Sequence, residues 1–285
     1  MTKVAGPTIP RWQLGQELSR LRDAVELTPA DVAEKLDCSE SKVKKIEAGY
    51  VGVVKAELML MMDLYQVDPS AREALFELQK LGKQRGWWSK FGRVPNSFGT
   101  FLGLESAADL IRIFEPMVVH GLLQTEEYAT ELERTASPGA SPEQVERQVK
   151  IRMARQERVL GGDEPPELWV VLDEAVLRRI MGGPDVMRRQ LEHLHAVSER
   201  VTLQVVPFAH GGYPGTLGAF TIFEFDDEVR SPVAYVEGQG GGLYLERSVD
   251  LQRCNVSYNH LTAVALSPPQ SAKLIAAVLR DLRSD

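Results

Sequence analysis

Cysteine is almost absent from this sequence: Cys38 and Cys254, in opposite halves of 285 residues, are the only two. Thiols so few, in no metal-ligand spacing, exclude a disulfide framework and a cysteine-built zinc site. They fit reduced side chains packed as small apolar groups in a cytoplasmic protein. Long apolar runs are missing too. No stretch approaches the ~20 residues a helical membrane span needs, and the opening MTKVAGPTIPRW holds no secretory apolar core. The expectation is a cytoplasmic protein without a membrane partner. Internal repeats and low-complexity tracts are lacking as well. What remains, 44% hydrophobic and 26% charged, is the composition of an ordinary globular chain, and its length suits two domains.

Positive charge is scarce, but unevenly so. Through Arg93, fifteen Lys and Arg face thirteen Asp and Glu, whereas the remainder sets eighteen bases against twenty-seven acids. An N-terminal part that tolerates an anion is thus joined to an acidic C-terminal part, a pattern that points to nucleic-acid contact at one end only.

The N-terminal third reads as five helices. Leu14, Leu18, Leu21 and Val25 recur at helical spacing and give helix one a single buried stripe. Thr28 as N-cap, Pro29 at the first helical position and Asp31 near the positive helix end start helix two, with Val32, Ala33 and Leu36 inward. Ser39 caps helix three, and Gly49 is suited to close it in the left-handed conformation. Helix four covers about 55–65 and helix five about 70–84. In CSESKVKKIEAG, residues 38–49, placing Val43 inward turns Ser41, Lys44, Lys45 and, at the edge, Lys42 outward. Two short helices joined by a tight turn, the second with a small-residue N-terminus and a basic outer face, make a helix-turn-helix arrangement. Its second helix enters the major groove of DNA.

The stretch LSRLRDAVELTPADVAEKLDCSESKVKKIEAG resembles the Xre family of phage-repressor-type regulators, over about residues 13–67. The resemblance implies a double-stranded DNA partner, with Glu40, Ser41 and Lys45 in base-reading places next to Ser39, and Lys42 and Lys44 flanking them toward the backbone. It implies that Arg22 and Glu47 form the pair bracing helix one against the end of the recognition helix. Pro29 departs from the family, which commonly has a phosphate-binding glutamine there. Glu40 would repel phosphates, yet can accept from a cytosine amine. Such domains act as homodimers on paired half-sites; the apolar ELMLMMDLYQV helix serves the core or shares in a dimer contact.

The expected fold class is α+β: an all-α helix-turn-helix domain of five helices (residues 10–68), a helical linker with the Trp87–Trp88 pair (69–100), and a mixed α/β effector domain (101–285). In the last, GLESAADLIRIFEPMVVHGLLQTEEYATELER reads as helix broken at Glu115-Pro116, and 142–160 as a long amphipathic helix. ELWVVL, VTLQVVPF, AFTIFEF, VAYVEG and GGLYLE read as strands and the C-terminal end as two helices. No catalytic constellation emerges. His193 and His195 fall on different faces of one helix, Asp173 and Glu174 lack a partner nucleophile or base, and Ser257 has no nucleophile-elbow context. His210, Gly211, Gly212 and Tyr213 lie in a glycine-rich loop after a strand, a candidate ligand or partner loop, although a turn needing positive dihedrals explains the glycines equally. No metal, cofactor or enzymatic activity is expected.

Ordered blocks from about Trp87 onward, among them GLLQTEEYA, RMARQERVL, LWVVLDEAVLRRIMGGPDVMRRQLEHL, VTLQVVPFAHGGYPG and ALSPPQSAKLI, resemble the C-terminal domain of WhiJ-type actinobacterial regulators. His120 stands where that family often has proline. The resemblance implies an antitoxin-like transcriptional regulator associated with development and antibiotic production and controlled by a small protein encoded in a neighbouring gene. The alternative is an interaction module whose main role is sequestering that partner.

Overall fold

Thr28 and Ser39 determine where the N-terminal helices begin, because each hydroxyl satisfies a backbone N–H that the first helical turn leaves unpaired. The computed structural model describes residues 7–92, 94–162, 164–215, 218–226, 231–238 and 241–282, and the chain divides between Ala107 and Ala108 into two units. The first contains α1 (Thr8–Ala24), α2 (Pro29–Lys35), α3 (Glu40–Glu47), α4 (Lys55–Leu64) and α5 (Pro69–Gly82). A 3-10 turn (Trp87–Phe91) and α6 (Asn96–Ala107) complete it. Thr28 Oγ1 accepts from the Asp31 N–H while the Asp31 carboxylate accepts from the Thr28 N–H, a reciprocal cap. Ser39 Oγ accepts from the Lys42 N–H at 3.2 Å.

Leu14 and Leu18 of α1, Val32 and Ala33 of α2, Val43 and Ile46 of α3, Leu58, Met61 and Met62 of α4 and Leu75 of α5 form one core. Within residues 69–100, α5 contributes Leu75 to this core, and Trp87 donates its indole N–H to Ser106 Oγ of α6 at 3.3 Å. Trp87 and Trp88 meet edge to face with centroids 5.8 Å apart, and both are half-buried.

The second unit is a mixed α/β layer structure, so the fold class is α+β. Its strands are β1 (Leu110–Glu115), β2 (Glu167–Asp173), β3 (Thr202–Val206), β4 (Phe220–Glu224), β5 (Val233–Val236) and β6 (Leu243–Leu245), in sheet order β3-β2-β1-β4-β5-β6. The three pairings among β1, β4, β5 and β6 are antiparallel; β1, β2 and β3 run parallel. Parallel neighbours need crossovers. These are α7 (Glu126–Ala136) and α8 (Pro142–Leu160) after β1, then α9 (Glu174–Arg178) and α10 (Pro184–Val197) after β2. The closing helices are α11 (Ser248–Val264) and α12 (Pro268–Leu282).

The expectation of helix across 103–114 holds as far as Ala107, the end of α6, and is corrected from Leu110 onward. LIRIFE is the central strand, with Ile111, Ile113 and Phe114 fully buried. Six residues interrupted only by Arg112 are too short a run for periodicity to tell strand from helix. One sheet face packs Phe114, Val171, Val206, Phe220 and Ile222 against Tyr258 and Leu261 of α11, and Tyr258 Oη donates to the Trp169 carbonyl at 2.7 Å. The β3 edge is closed by the α11–α12 connection: Val205 N–H donates to Ser271 Oγ, and the Leu266 N–H donates to the Val205 carbonyl. That pairing blunts an edge otherwise open to another strand.

Candidate nucleic-acid interface

Between α2 and α3 the chain turns in four residues. Asp37 takes the left-handed conformation (φ 48°), which a short carboxylate side chain tolerates, and the Cys38 N–H donates back to the Ala33 carbonyl at 3.0 Å. Ser39 then opens α3. Val43 and Ile46 point into the core, while Ser39, Glu40, Ser41, Lys44 and Lys45 are exposed and Lys42 is partly so.

The lysines differ in their engagement. Lys42 Nζ lies 2.5 Å from Glu57 Oε1 of α4, tying the start of α3 to its neighbour; this bond raises the lysine pKa. Lys44 Nζ lies 2.6 Å from Glu40 Oε1, one turn away on the same exposed face. The Lys45 side chain makes no ion pair or hydrogen bond among the described residues. At the centre of the face one cation is thus free, and a second is held by a surface pair of the kind that contributes at most about 1 kcal/mol and is readily exchanged for a phosphate.

Behind that face, Arg22 and Glu47 meet as a fork. Nε donates to Oε1 at 2.7 Å and Nη2 to Oε2 at 2.9 Å, with both side chains only 9% exposed. Arg22 Nη1 also donates to Asp23 and to the Leu27 carbonyl. The Glu47 hydrogen bond, partly offset by burial, holds the Arg22 pKa above its ordinary value. Two glycines let α1 come this close. A β-carbon at Gly15 would collide with the carbonyl oxygens of Ile46 and Glu47, and one at Gly49, which has φ 69°, would stand 2.7 Å from the Trp12 Cα. Pro29 occupies the first position of α2 and has no N–H to offer a phosphate. The feature that the sequence reading missed is Glu57: it was legible only as a helix-start acid, because its partner Lys42 lies on another helix.

In the second unit, His210 is exposed at the end of a 3-10 turn (Phe208–His210), followed by Gly211 at φ 77°. The loop is tied down by its neighbours. Tyr213 Oη donates to Asp173 Oδ2 at 2.5 Å, and the Phe208 N–H donates to Glu174 Oε2 at 2.8 Å. Asp173 Oδ1 further accepts from the Ala175 N–H, starting α9. Thr216 and Leu217 of this loop lie outside the described residues. His193 is half-buried and His195 exposed on α10, and burial lowers the His193 pKa. His120 is buried with φ −59° and ψ 143°, a conformation proline also adopts, and its Nδ1 accepts from the Leu122 N–H. Among the described residues no group of three or more His, Cys, Asp or Glu is placed to hold a metal ion, and no helix is long and apolar enough to cross a membrane.

Comparison with known families assigns residues 13–75 to a helix-turn-helix domain and residues 98–277 to a domain of unknown function, DUF5753. No curated protein and no solved structure matches the chain.

Proposed function

Since this chain belongs to the DUF5753 family and carries a helix-turn-helix DNA-binding domain, we propose that it is a sequence-specific transcriptional regulator. In this reading α3 lies in the major groove, with Ser39, Glu40, Ser41 and Lys45 toward base edges and Lys44 toward the backbone. Lys42 contributes charge at the margin while bracing α4. The observation that carries the reading is the α3 face itself: exposed, polar, with Lys45 unpaired, on a frame locked by Arg22 and Glu47.

The protein acts as a homodimer, because one module of this size gives limited affinity and paired half-sites a helical turn apart multiply it. Met59 and Leu60, 46% and 54% exposed on α4, are the apolar groups that favour this. The C-terminal unit is the effector part, without catalytic activity, controlled in the cytoplasm by a small protein from a neighbouring gene in the manner of Xre-type and WhiJ-type regulators. Such a partner acts only if it binds the DNA-competent and incompetent forms differently.

A second reading, sequestration of the partner as the main role, is favoured by an open acidic recess of about 390 Å³ lined by Glu126, Glu127, Thr130, Glu131 and Val186. The experiment that separates the two is a salt titration of duplex binding. Charge reversal at Lys44 and Lys45 is expected to weaken binding and flatten the dependence of log K on log salt by about 0.9 per lost phosphate contact. Unchanged affinity and slope in the folded double variant would remove α3 from the interface.

A further inference from the structure

The helix α4 is apolar on two sides. Leu58, Met61 and Met62 are fully buried in the core, with Tyr65 just past the helix end. The opposite arc holds Ala56, Met59, Leu60 and Asp63, all exposed, with Lys55 at its edge. At about 100° per residue those four fall within roughly a third of the circumference. Met59 is 46% and Leu60 54% exposed. Among the described residues no other helix of the first unit leaves two adjacent large apolar side chains so open. A single exposed leucine is ordinary; what marks this arc is the charge at its ends and its place beside α3.

Lys55 lies one helical turn before Met59 and Asp63 one turn after it, each about 6 Å along the axis. With a second α4 laid antiparallel across a two-fold axis at Met59, Lys55 of each copy meets Asp63 of the other. Such a contact is self-complementary, as an isologous one must be. In parallel packing, lysine would meet lysine and aspartate would meet aspartate. Both charges are accessible for the cross-contact. Lys55 Nζ rests over the Phe76 ring, 5.2 Å from its centroid, and Asp63 keeps a side chain 61% exposed beside Arg72 at 2.6 Å.

The position of α3 favours the same arrangement independently. Glu57 lies about a quarter turn round from the exposed arc, and there it holds Lys42 of α3 at 2.5 Å. The reading helix therefore flanks α4 beside the arc, not behind it. The two-fold axis of an antiparallel pair lies in the contact plane, perpendicular to both helices, which is the direction in which Glu57 points. Rotation about that axis leaves the direction unchanged, so both copies present α3 on one side. Parallel packing would put the two reading helices on opposite sides, where one duplex face cannot take both.

We propose that the exposed arc of α4 is a self-association surface, packed antiparallel against the same arc of a second copy about a two-fold axis at Met59. The inference rests on the homodimeric-regulator reading for its use on DNA, and gives that dimer a surface and a register. One helix arc is smaller than the roughly 1,200 Å² that a stable interface buries. The pair is therefore weak in solution and completed on DNA, where neighbouring half-sites raise the effective concentration of each copy for the other. Occupancy of paired half-sites is cooperative as a result.

Sedimentation equilibrium of the full-length protein without DNA tests the contact separately from DNA recognition. The expected result is a reversible monomer–dimer equilibrium with a Kd between about 10 μM and 1 mM, the range of a small interface. Leu60→Glu should weaken it at least about tenfold, because each copy would bury a carboxylate against an apolar arc. Lys55→Asp and Asp63→Lys should each weaken it about threefold or more by setting like charges opposite one another. The double variant should recover the wild-type constant, which only the antiparallel register provides and no loss of folding imitates. A protein strictly monomeric at about 1 mM would overturn the proposal. So would a dimer indifferent to Leu60→Glu, or a double variant no better than the single ones. The expected dimer in a protein that binds no duplex would leave this surface standing and overturn the regulator reading instead.

Discussion

Arg22 commits its guanidinium to Glu47, Asp23, Ser19 and the Leu27 carbonyl, so this arginine braces α1 against the end of α3. Removing one partner of so buried a pair leaves the other charge uncompensated. Glu47→Ala is expected to cost roughly 3–5 kcal/mol in urea denaturation, and a loss under about 1 kcal/mol would mean that the pair is ornamental. Glu115 gives the opposite sign. Its carboxyl pKa is raised in the fold from an ordinary 4.5 to about 8, so the stability of the protonated form is complete below pH 4.5 and lost as pH rises toward 8. Glu115→Gln cannot ionise. Its stability relative to the wild type should grow as pH rises between about 5 and 8.5, because only the wild type must ionise in the fold. A pH-independent difference in chemical denaturation would contradict this. Arg22 and Glu47 were legible as a pair only through a resemblance that aligns them. The raised pKa of Glu115 was not legible at all, because local pattern says nothing of which distant elements meet.

At the scale of elements, α3 was readable because its caps, its inward Val43 and Ile46 and its outward lysines are local chemistry within one helix. The strand β1 was misread because it is six residues long and Arg112 alone interrupts its apolar run, too short an alternation to distinguish strand from helix. The lysine face was only half legible: spacing gave the direction of Lys42, but not Glu57, which holds it to α4. The two lysines therefore separate in experiment. Lys45→Ala should lower the salt slope of DNA binding by about 0.9. Lys42→Ala should change the slope less and lower thermal stability slightly; equal effects on slope would show that the Glu57 bond opens on DNA. Gly49 tests the closure of the same helix. With φ 69° and the Trp12 backbone against it, Gly49→Ala should cost at least about 1–3 kcal/mol, seen as a lowered Tm.

For the whole molecule, the uneven charge of the sequence corresponds to a division of labour. The unit bearing α3 is the one whose acids do not outnumber its bases, and the acidic remainder forms the sheet-centred unit. Like charge in that larger unit repels phosphates, which agrees with the proposal that α3 carries the DNA contact. The measurement that tests this account most directly is capture of sheared genomic DNA from the source organism by the purified full-length protein, followed by sequencing, with the Lys44→Glu/Lys45→Glu protein as control. The account expects a small number of enriched sites with two-fold-related half-sites a helical turn apart, all lost in the control. Enrichment that survives in the folded control, or no enrichment with the wild type, would contradict it.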